Sequence, residues 1–432
     1  MREKADPAPW LTNLPDEWLG IRLKHVGRFI NGYAFSSTEW SDAGDRIIRI
    51  QNLNDQAARY NRFSGQLPPR YRVKSGDVLI SWSASLGAFR WSGEPAWLNQ
   101  HIYRVVPEPS LITNEFLYYL AKWFIEVLES RLHGSAMKHL TKEALLDFWV
   151  SLPPLPIQRA IASFLDHETE KIDTLIEKKR RLLDLLEEKR TALITQAVTR
   201  GLDPDVQMKD SGVEWLGEIS EHWEVVKLAW LVERLDQGWS PVAADRTTNA
   251  GEWGVLKLSA VKHGKFVQKE HKTLEQGSKI HEGLPLKNGD VLVTRANTPE
   301  LVGDACVVQG LQSQLIHSDL IYRLKIRDQL DPAFLTYWLI SSPGRRHPRL
   351  EARGSSLSMV KLSQGHVRDW PVPLPPIEEQ ARIADFVGHQ EAKLEAVLGR
   401  LVEAISLLQE YRTALISAAV TGKIDVRDKV PA

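Results

Sequence analysis

The chain has 432 residues, of which 43% are hydrophobic and 25% charged, a length that implies two or three domains. Lys and Arg together number 55, as do Asp and Glu, and this balance excludes a polycation that binds nucleic acid over its whole surface. The single cysteine, Cys306, excludes a disulfide framework and a thiolate metal cluster. No apolar run is long enough for a signal core or a membrane span, so we expect a cytoplasmic protein without membrane contact.

Short strands followed by one helix are predicted in the N-terminal part. Apolar and alternating runs bounded by turn residues predict strands at Asp45–Leu53, Asp77–Trp82 and His101–Val106. A helix is predicted at Asn114–Leu132, with Asn114 as its N-cap because Asn favours that position. The pattern is typical of an α+β domain.

A long helix is predicted next, from about Ile157 to Thr199. The segment contains no Pro or Gly, and the preceding Pro153-Pro154 pair ends a strand and favours a helix start. Its apolar residues approximate a heptad seam, which consists of Leu175, Leu182, Leu186, Leu193 and Ala197.

The second half follows the same plan. Strands are predicted at Trp253–Ala260, Asp290–Thr294 and Asp319–Ile326, and Asp331-Pro332 predicts the start of a helix. A second long helix is predicted from about Ile377 to Thr421. Its seam consists of Leu394, Leu398, Leu401, Ile405, Leu408, Tyr411, Leu415 and Ala419. The two seams predict an antiparallel coiled coil, although each helix could instead pack on its own domain.

Internal duplication is the most informative feature of the sequence. The segment 152–200 matches the segment 374–422 without a gap, with 20 identities in 49 positions. The openings of the two halves also match, with Trp10-Leu11 aligned to Trp215-Leu216. The sequences between these anchors have diverged, which indicates two copies of one task with different particulars.

The predicted fold class is therefore α+β, with two globular domains separated by two long helices in a pseudo-twofold internal repeat. The domain boundaries that we predict are 1–156 for the first globular domain, 157–203 for the central helix, 204–373 for the second globular domain and 374–432 for the C-terminal helix.

These residues resemble the specificity subunit of a type I restriction-modification system. The resemblance covers essentially the whole chain. It is carried by the segment 209–217 (Lys-Asp-Ser-Gly-Val-Glu-Trp-Leu-Gly), by the Leu-Pro-Pro…Gln segments that begin at Leu152 and Leu374, and by the Thr-Ala-Leu-Ile helix ends. The order, duplication and spacing of these motifs make it specific.

The resemblance implies that each variable domain is a target-recognition domain that reads one half of an asymmetric, two-part site on double-stranded DNA. It implies that the helices set the distance between the halves and dock two copies of the modification subunit. That partner would bind S-adenosylmethionine, and a restriction subunit would add ATP- and Mg²⁺-dependent translocation and cleavage. Consistent with a spacer, about 40 helical residues give a rod of roughly 60 Å.

The candidate DNA contacts are polar and basic residues near strand ends and in loops, where side chains can reach base edges or phosphates. Basic residues outnumber acidic ones nine to three between Arg46 and Arg104 and six to one between Arg345 and Arg368. In the first domain the candidates are Arg46, Arg49, Gln51, Asn52, Ser81, Ser83, Ser85, Asn99, Gln100 and Lys138. In the second domain they are Lys257, Lys262, Lys265, Thr294, Arg295, Asn297, Arg353, Ser355 and Lys361. For each of them, an ordinary surface polar group is the alternative.

No catalytic, metal or cofactor site is expected on this chain. Asp331-Pro-Ala-Phe334 resembles an amino-methyltransferase signature, but Ala333 replaces its second Pro and no Gly-rich loop precedes it. We interpret Asp331 as a helix N-cap. Two alternatives to a non-catalytic recognition subunit are considered: a fused restriction-methylation enzyme, which lacks its motifs here, and a coiled-coil scaffold without sequence-specific DNA binding.

Overall fold

A computed structural model describes residues 9–12, 14–131, 140–278, 280, 284–356 and 359–427. The chain divides into two compact units. The first unit consists of Met1–Arg180 with Val402–Ala432, and the second is Arg181–Leu401. Each long helix thus contributes one part to each unit.

The described part of the first unit contains two four-stranded sheets, one two-stranded sheet and one main domain helix. Its strands are β1 Leu19–Arg22, β2 Gly27–Asn31, β3 Asp45–Ile48, β4 Asn61–Phe63, β5 Arg72–Val73, β6 Val78–Ser81, β7 Gly87–Arg90, β8 Ala96–Leu98, β9 Ile102–Pro107 and β10 Trp149–Leu152. Its helices are α1 Ile50–Asn54, α2 Asn114–Ser130 and α3 Lys142–Leu146, and they precede α4 Leu155–Arg200. Short 3-10 helices lie at Pro9–Leu11, Leu23–His25, Ser37–Glu39 and Pro69–Tyr71.

The main sheet of this unit lies between a helix and a second sheet. The main sheet has the order β2-β9-β6-β7, and the second has the order β4-β3-β8-β5. Because side chains alternate along a strand, Val78 and Ile80 pack with Phe116 of α2, whereas Leu79 packs with Ile48 of the second sheet. Strand β6 is therefore buried on both faces.

The second unit repeats this arrangement. Its strands are β11 Met208–Asp210, β12 Glu218–Ser220, β13 Glu224–Lys227, β14 Val232–Gln237, β15 Ala243–Ala244, β16 Trp253–Leu256, β17 Val261–Lys262, β18 Lys265–Phe266, β19 His271–Leu274, β20 Val291–Thr294, β21 Ala296–Asn297, β22 Ala305–Val307, β23 Gln314–Ile316, β24 Ile321–Ile326, β25 Arg353–Ser356, β26 Met359–Lys361 and β27 Pro371–Leu374. Its helices are α5 Leu228–Leu231, α6 Pro332–Ile340, α7 Arg346–Glu351 and α8 Gln364–Asp369, and they precede α9 Ile377–Val420. A 3-10 helix lies at Leu258–Ala260.

The main sheet of the second unit matches that of the first in strand order. The second sheets share three strands in the same order, but the fourth strand lies at opposite edges, beside β8 in the first unit (β5) and beside β19 in the second (β15). The main sheet is β14-β24-β20-β22, and the second sheet is β15-β19-β16-β23. Val291 and Val293 pack with Phe334 of α6, whereas Leu292 packs with Leu256 of the second sheet. The prediction of two α+β domains and two long helices is confirmed.

Three predicted elements need correction. The first predicted strand ends at Ile48, and Gln51 and Asn52 lie in α1. The strand predicted to reach Ala260 ends at Leu256, where a 3-10 helix follows. The apolar residues after each strand belong to a helical turn of the same polarity pattern, which spacing alone does not separate from a strand. Helix α2 begins at Asn114, but its N-cap is Thr113, whose hydroxyl accepts from Phe116 N, rather than Asn114 as predicted. The helix ends at Ser130.

Each long helix is fastened to the domain before it by a duplicated glutamine. Gln158 Nε2 donates to the carbonyls of Leu111 (2.7 Å) and Pro153 (2.8 Å), and its Oε1 accepts from Thr113 N (2.8 Å). Gln380 makes the same three bonds in the second unit, to Gln329 O (3.0 Å), Pro375 O (2.8 Å) and Asp331 N (2.8 Å). Both side chains are fully buried. The Leu-Pro-Pro…Gln motif therefore fixes the start of each helix against the loop that caps the domain helix.

The two long helices contact each other in antiparallel orientation within each unit. In the first unit Asp173 of α4 pairs with Arg412 of α9, and Ser151, just before α4, donates to Val420 O at the end of α9. In the second unit Arg190 of α4 pairs with Glu391 of α9. Residues near the start of one helix thus face residues near the end of the other.

The predicted seam of α4 is wrong at two positions. Leu175 and Leu182 are each 43% exposed, whereas Ile172 and Ile176 are buried. Two apolar stripes of similar spacing run along this helix, and the inward one passes through Arg190, a residue that an apolar pattern rejects. Of the other predicted seam residues, Leu401 is buried, and Leu186, Leu193, Leu394, Leu398, Ile405, Leu408 and Leu415 are half-buried, while Tyr411 is exposed.

Candidate nucleic-acid interface

A buried hydroxyl ends the central strand of the main sheet in both domains. Ser81 Oγ donates to Ser85 O (2.6 Å), and Thr294 Oγ1 donates to Leu301 O (2.9 Å). Each hydroxyl closes the turn that follows its strand, and both side chains are fully buried. The prediction that Ser81 and Thr294 contact DNA is therefore wrong, because their hydroxyls are consumed inside the loops.

The next residue differs between the domains although its backbone does not. Trp82 N donates to His101 O (3.2 Å), and Arg295 N donates to Leu320 O (2.8 Å). The Trp82 ring lies on Tyr103 with 5.8 Å between ring centroids, and its Nε1 donates to Asn31. Trp82 thus anchors its loop.

Arg295 occupies the matching place over Tyr322. Its Nε donates to the Tyr322 hydroxyl (3.1 Å), and its Nη1 donates to Asp319 O (3.4 Å). The guanidinium remains partly exposed and has five N–H donors. Arg295 is therefore held in one orientation while further donors remain for a ligand.

In both domains a glycine allows two backbone segments beside Trp82 or Arg295 to pass close to each other. A Cβ at Gly32 would lie 1.9 Å from Asn99 O, and one at Gly238 would lie 2.1 Å from His317 O. The close approach of Gly32 to Asn99 places Asn99 and Gln100 next to the Trp82 loop. Gln100 N donates to Tyr33 O (2.8 Å). Both side chains are half-buried.

Arginine side chains stack on aromatic rings along the second sheet of the first domain. Arg46 lies over Tyr60 at 5.1 Å from the ring centroid, and Arg49 lies over Trp40 at 5.3 Å. Stacking leaves the edges of a guanidinium available to phosphates or bases. The structure therefore keeps Arg46 and Arg49 as candidates.

The neighbouring helix α1 holds the other candidates of this domain. Asn52 is fully buried, and its amide donates to the carbonyls of Ala58 and Arg59, so its prediction as a DNA contact is wrong. Gln51 is exposed. Asn54 Nδ2 donates to Ser85 Oγ (3.3 Å), which brings the loop of Ser83 and Ser85 beside α1. Lys138 lies outside the described residues.

A three-stranded sheet brings together four of the candidates of the second domain. Lys361 of β26 lies opposite Ala296 of β21 and opposite Arg353 of β25. Asn297 is in the same sheet, and its Oδ1 accepts from Thr298 N (2.9 Å). Arg353 and Lys361 are exposed. Ser355 lies in β25, but its side chain is outside the described part of the chain.

The three lysines of the 257–265 segment are not part of this sheet. Lys257 pairs with Asp245 at 2.7 Å, which lowers the pKa of the Asp245 carboxyl and raises that of the lysine. Lys265 pairs with Glu395 of α9, and its side chain is 51% exposed. Lys262 is exposed on β17.

An arginine that was not among the predicted site residues braces each domain; it is buried in the second domain and half-buried in the first. Arg323 Nη2 donates to Asp236 (2.7 Å) and its Nη1 lies 3.8 Å from Asp290. In the first domain Arg104 lies 3.6 Å from Asp77. The two copies of Gly-Asp-Val-Leu, at 76–79 and 289–292, and of Tyr-Arg, at 103–104 and 322–323, were the available signal for these ion pairs.

The motif that resembles a methyltransferase signature has a structural role. Asp331 Oδ1 accepts from Phe334 N at 2.8 Å, which confirms Asp331 as the N-cap of α6. Within the described residues, no group of His, Cys, Asp or Glu side chains is arranged to hold a metal ion. Over the same residues, no helix combines the length and apolarity that a bilayer span requires.

Comparisons with known proteins agree with this geometry. Residues 15–184 match the type I restriction modification DNA specificity domain. The chain is 24% identical to the type I restriction enzyme EcoBI specificity subunit of Escherichia coli, over 96% of this chain and 88% of that protein. It is 23% identical to the MjaVIII specificity subunit of Methanocaldococcus jannaschii, over 96% and 95%.

A solved structure shares the fold. It comes from work on complex assembly and conformational transition of the type I restriction-modification system and superposes with a TM-score of 0.65 at 18% identity, over 95% of this chain and 99% of that one. The chain thus shares the fold of that structure, and along nearly its whole length its sequence is similar to type I restriction enzyme specificity subunits.

Proposed function

We propose that this chain is the DNA sequence-recognition subunit of a type I restriction-modification complex, and that each domain reads one half of an asymmetric two-part target. The observation that carries the proposal is the difference at one matched position. The same backbone frame presents Trp82 in the first domain and a half-exposed Arg295 in the second. Two readers with one frame and different side chains suit two different half-sequences.

The charge distribution supports contact with DNA. The exposed cations Arg353 and Lys361 lie on adjacent strands in the second domain, and stacked arginines lie along the first. Cations of this kind neutralise phosphates and orient the protein on the duplex, while neighbouring loops read base edges. A formal net charge of zero limits binding elsewhere on the surface.

The long helices are proposed to set the distance between the half-sequences and to dock two copies of the modification subunit. Leu175, Leu182 and Leu185 of α4 are exposed at spacings of seven and three, which places them on one helix face. Tyr411 of α9 is exposed as well. Because the helices derive from a duplication, two identical partners would find equivalent docking sites.

The chemistry is proposed to reside on the partners. S-adenosylmethionine would bind the modification subunit, and ATP and Mg²⁺ would serve the restriction subunit. This chain contributes recognition and spacing and no catalytic residue.

The test is methylation mapping in cells that express the chain with its partner modification subunit. We expect methylated adenines in one asymmetric motif of two short sequences separated by an unread gap. A motif with a single continuous core, or methylation without a motif, would refute the proposal and favour a scaffold. Insertion of one heptad between Asp173 and Arg190, and one between Glu391 and Arg412, keeps both ion pairs.

The two heptads would lengthen each helix by about 10 Å at 1.5 Å per residue. At ~3.4 Å per base pair this corresponds to about three base pairs. The half-sequences should therefore stay the same while the gap grows. An unchanged gap with intact half-sequences would contradict the spacer role.

A further inference from the structure

Arg190 forms a junction inside the second unit. Its Nε and Nη2 donate to one oxygen of Glu391 at 2.8 and 2.5 Å, and Nη2 also donates to the backbone carbonyl of His263 at 3.1 Å. Arg190 belongs to α4, Glu391 to α9 and His263 to the turn between β17 and β18. One guanidinium therefore joins both long helices to the second recognition domain.

The junction reaches a fourth element through Glu391. The Tyr337 hydroxyl of α6 hydrogen-bonds Glu391, and burial together with this carboxylate raises the pKa of Tyr337. Beside it, Lys265 pairs with Glu395 one helical turn further along α9. The β17–β18 turn and α6 are thus both tied to the helix pair at a single level.

The His263 carbonyl is held in place for this contact. His263 has a φ of +45°, a conformation that costs a non-glycine residue free energy unless its surroundings enforce it. Its N–H donates to the buried carboxylate of Asp304 (2.8 Å), and Gly264 N donates to Ala305 O (3.0 Å). The turn is therefore pinned to the domain on one side and to Arg190 on the other.

The matching site of the first unit is built differently. Arg412 occupies the repeat position of Arg190, and its side chain and that of Asp173 are 30% and 48% exposed. Arg190 and Glu391 are only 14% and 13% exposed. The repeat position of Glu391 is Thr169, which bonds Tyr119 rather than an arginine. Only the second unit has the compact four-element junction among the residues described.

We propose that Arg190 and Glu391 form a positioning pair that fixes the orientation of the second recognition domain on the helices, and thereby the register of the second half-sequence relative to the first. The inference rests on the proposed function. A displacement of about 3.4 Å at the DNA corresponds to one base pair. Loss of the junction therefore changes the accepted gap without changing either half-sequence, since neither residue is among the candidate DNA contacts.

The experiment is methylation mapping of Arg190→Met in complex with the modification subunit. Arg180→Met, an exposed arginine of the same helix, is the matched control, and Arg412→Met probes the corresponding site of the first unit. We expect Arg190→Met to modify the same two half-sequences with gaps shifted by one base pair in addition to the original gap. Arg180→Met should keep the single gap, and Arg412→Met should change it less than Arg190→Met.

Two further variants keep the inference falsifiable if Arg190→Met fails to assemble. Glu391→Gln retains the shape but loses the charge, and it should broaden the gap in the same way. Arg190→Lys keeps the charge but cannot reach both acceptors with a fixed fork, and it should restore much of the single-gap preference.

The outcomes separate the two proposals. A wild-type complex without a two-part motif would refute the proposed function. A two-part motif in the wild type, with a single unchanged gap in correctly assembled Arg190→Met or Glu391→Gln, would refute the positioning pair alone. A changed half-sequence would also refute it, because the pair would then act on base reading.

Discussion

In the first unit the helix that packs on the main sheet, α2, runs for 17 residues, whereas its counterpart α6 in the second unit stops after nine. The chain leaves α6 at Ser341-Ser342-Pro343, where the proline cannot continue a helix. The second unit instead has the β17–β18 turn, which contacts α4 and α9 through His263 and Lys265.

Other features do not differ between the units. Gln158 and Gln380 make the same three bonds, and the strand-end hydroxyls of Ser81 and Thr294 close the same turn. The positions that attach a domain to its helix have therefore been retained since the duplication. Charge burial and loop contacts, by contrast, have diverged with the recognition surfaces.

The largest difference between the units should be in the free energy of unfolding that is lost when a buried arginine is replaced. Arg323 is 6% exposed and faces both Asp236 and Asp290, whereas Arg104 is 13% exposed and faces Asp77 alone. Removal of Arg323 leaves Asp290 without its cation and Asp236 paired only with the more exposed Arg234. We expect Arg323→Met to lower the free energy of unfolding of the second unit by about 4 kcal/mol and Arg104→Met to lower that of the first by about 2 kcal/mol.

Denaturation followed by hydrogen exchange, resolved to each unit, measures both losses. Equal losses would show that both units depend on their arginine to the same extent, and would contradict the expected difference.

The glutamines should behave as equals. Gln158→Leu and Gln380→Leu each leave one buried N–H and two buried carbonyls without a partner. Each substitution should destabilise its own unit by about 3 kcal/mol. The same exchange measurement applies, and a loss confined to one glutamine would contradict a shared attachment.

A smaller difference concerns Lys122 of α2, whose repeat position in α6 is Ile340. Burial, together with repulsion from Arg412 and Arg90, lowers the pKa of Lys122 to about 8, although Asp173 and Asp166 partly offset it. The folded pKa lies below the ordinary value of 10.5. Between these values the unfolded chain binds a proton that the folded chain does not, so stability rises with pH in that window.

Replacement of Lys122 by isoleucine should remove this dependence. We expect Lys122→Ile to raise the Tm of the first unit at pH 7 and to flatten its Tm between about pH 8 and pH 10.5. Thermal melts at several pH values measure the effect. A Tm profile that keeps the wild-type slope would place the titration elsewhere.

Much of the fold could be predicted from the sequence because the duplication and the positions of the prolines can be read without knowledge of tertiary contacts. The Pro-Pro pairs and uninterrupted helical segments located α4 and α9 to within two residues. The inward face of α4 did not follow, because Arg190 lies on it and its partner Glu391 is 201 residues away. Pairings of that range depend on tertiary structure and leave no periodic trace.

The candidate interface was predictable in outline only. Loops beside Ser81 and Thr294 were located by their strands, yet the hydroxyls themselves are turned inward to close the turns. A polar residue at a strand end satisfies either the backbone or a ligand, and spacing does not distinguish the two. The exposed pair Arg353 and Lys361 became a cluster only through the pairing of β25 and β26.

Domain exchange is the most direct test of whether each domain reads its own half-sequence. Residues 21–150 would be replaced by the matching domain of a relative with a known target, and methylation would be mapped in complex with the modification subunit. We predict that one half-sequence changes to that of the donor, while the other half-sequence and the gap stay the same. A change in both halves, or a change in the extent of methylation with the motif unaltered, would show that the two domains do not each read one half-sequence.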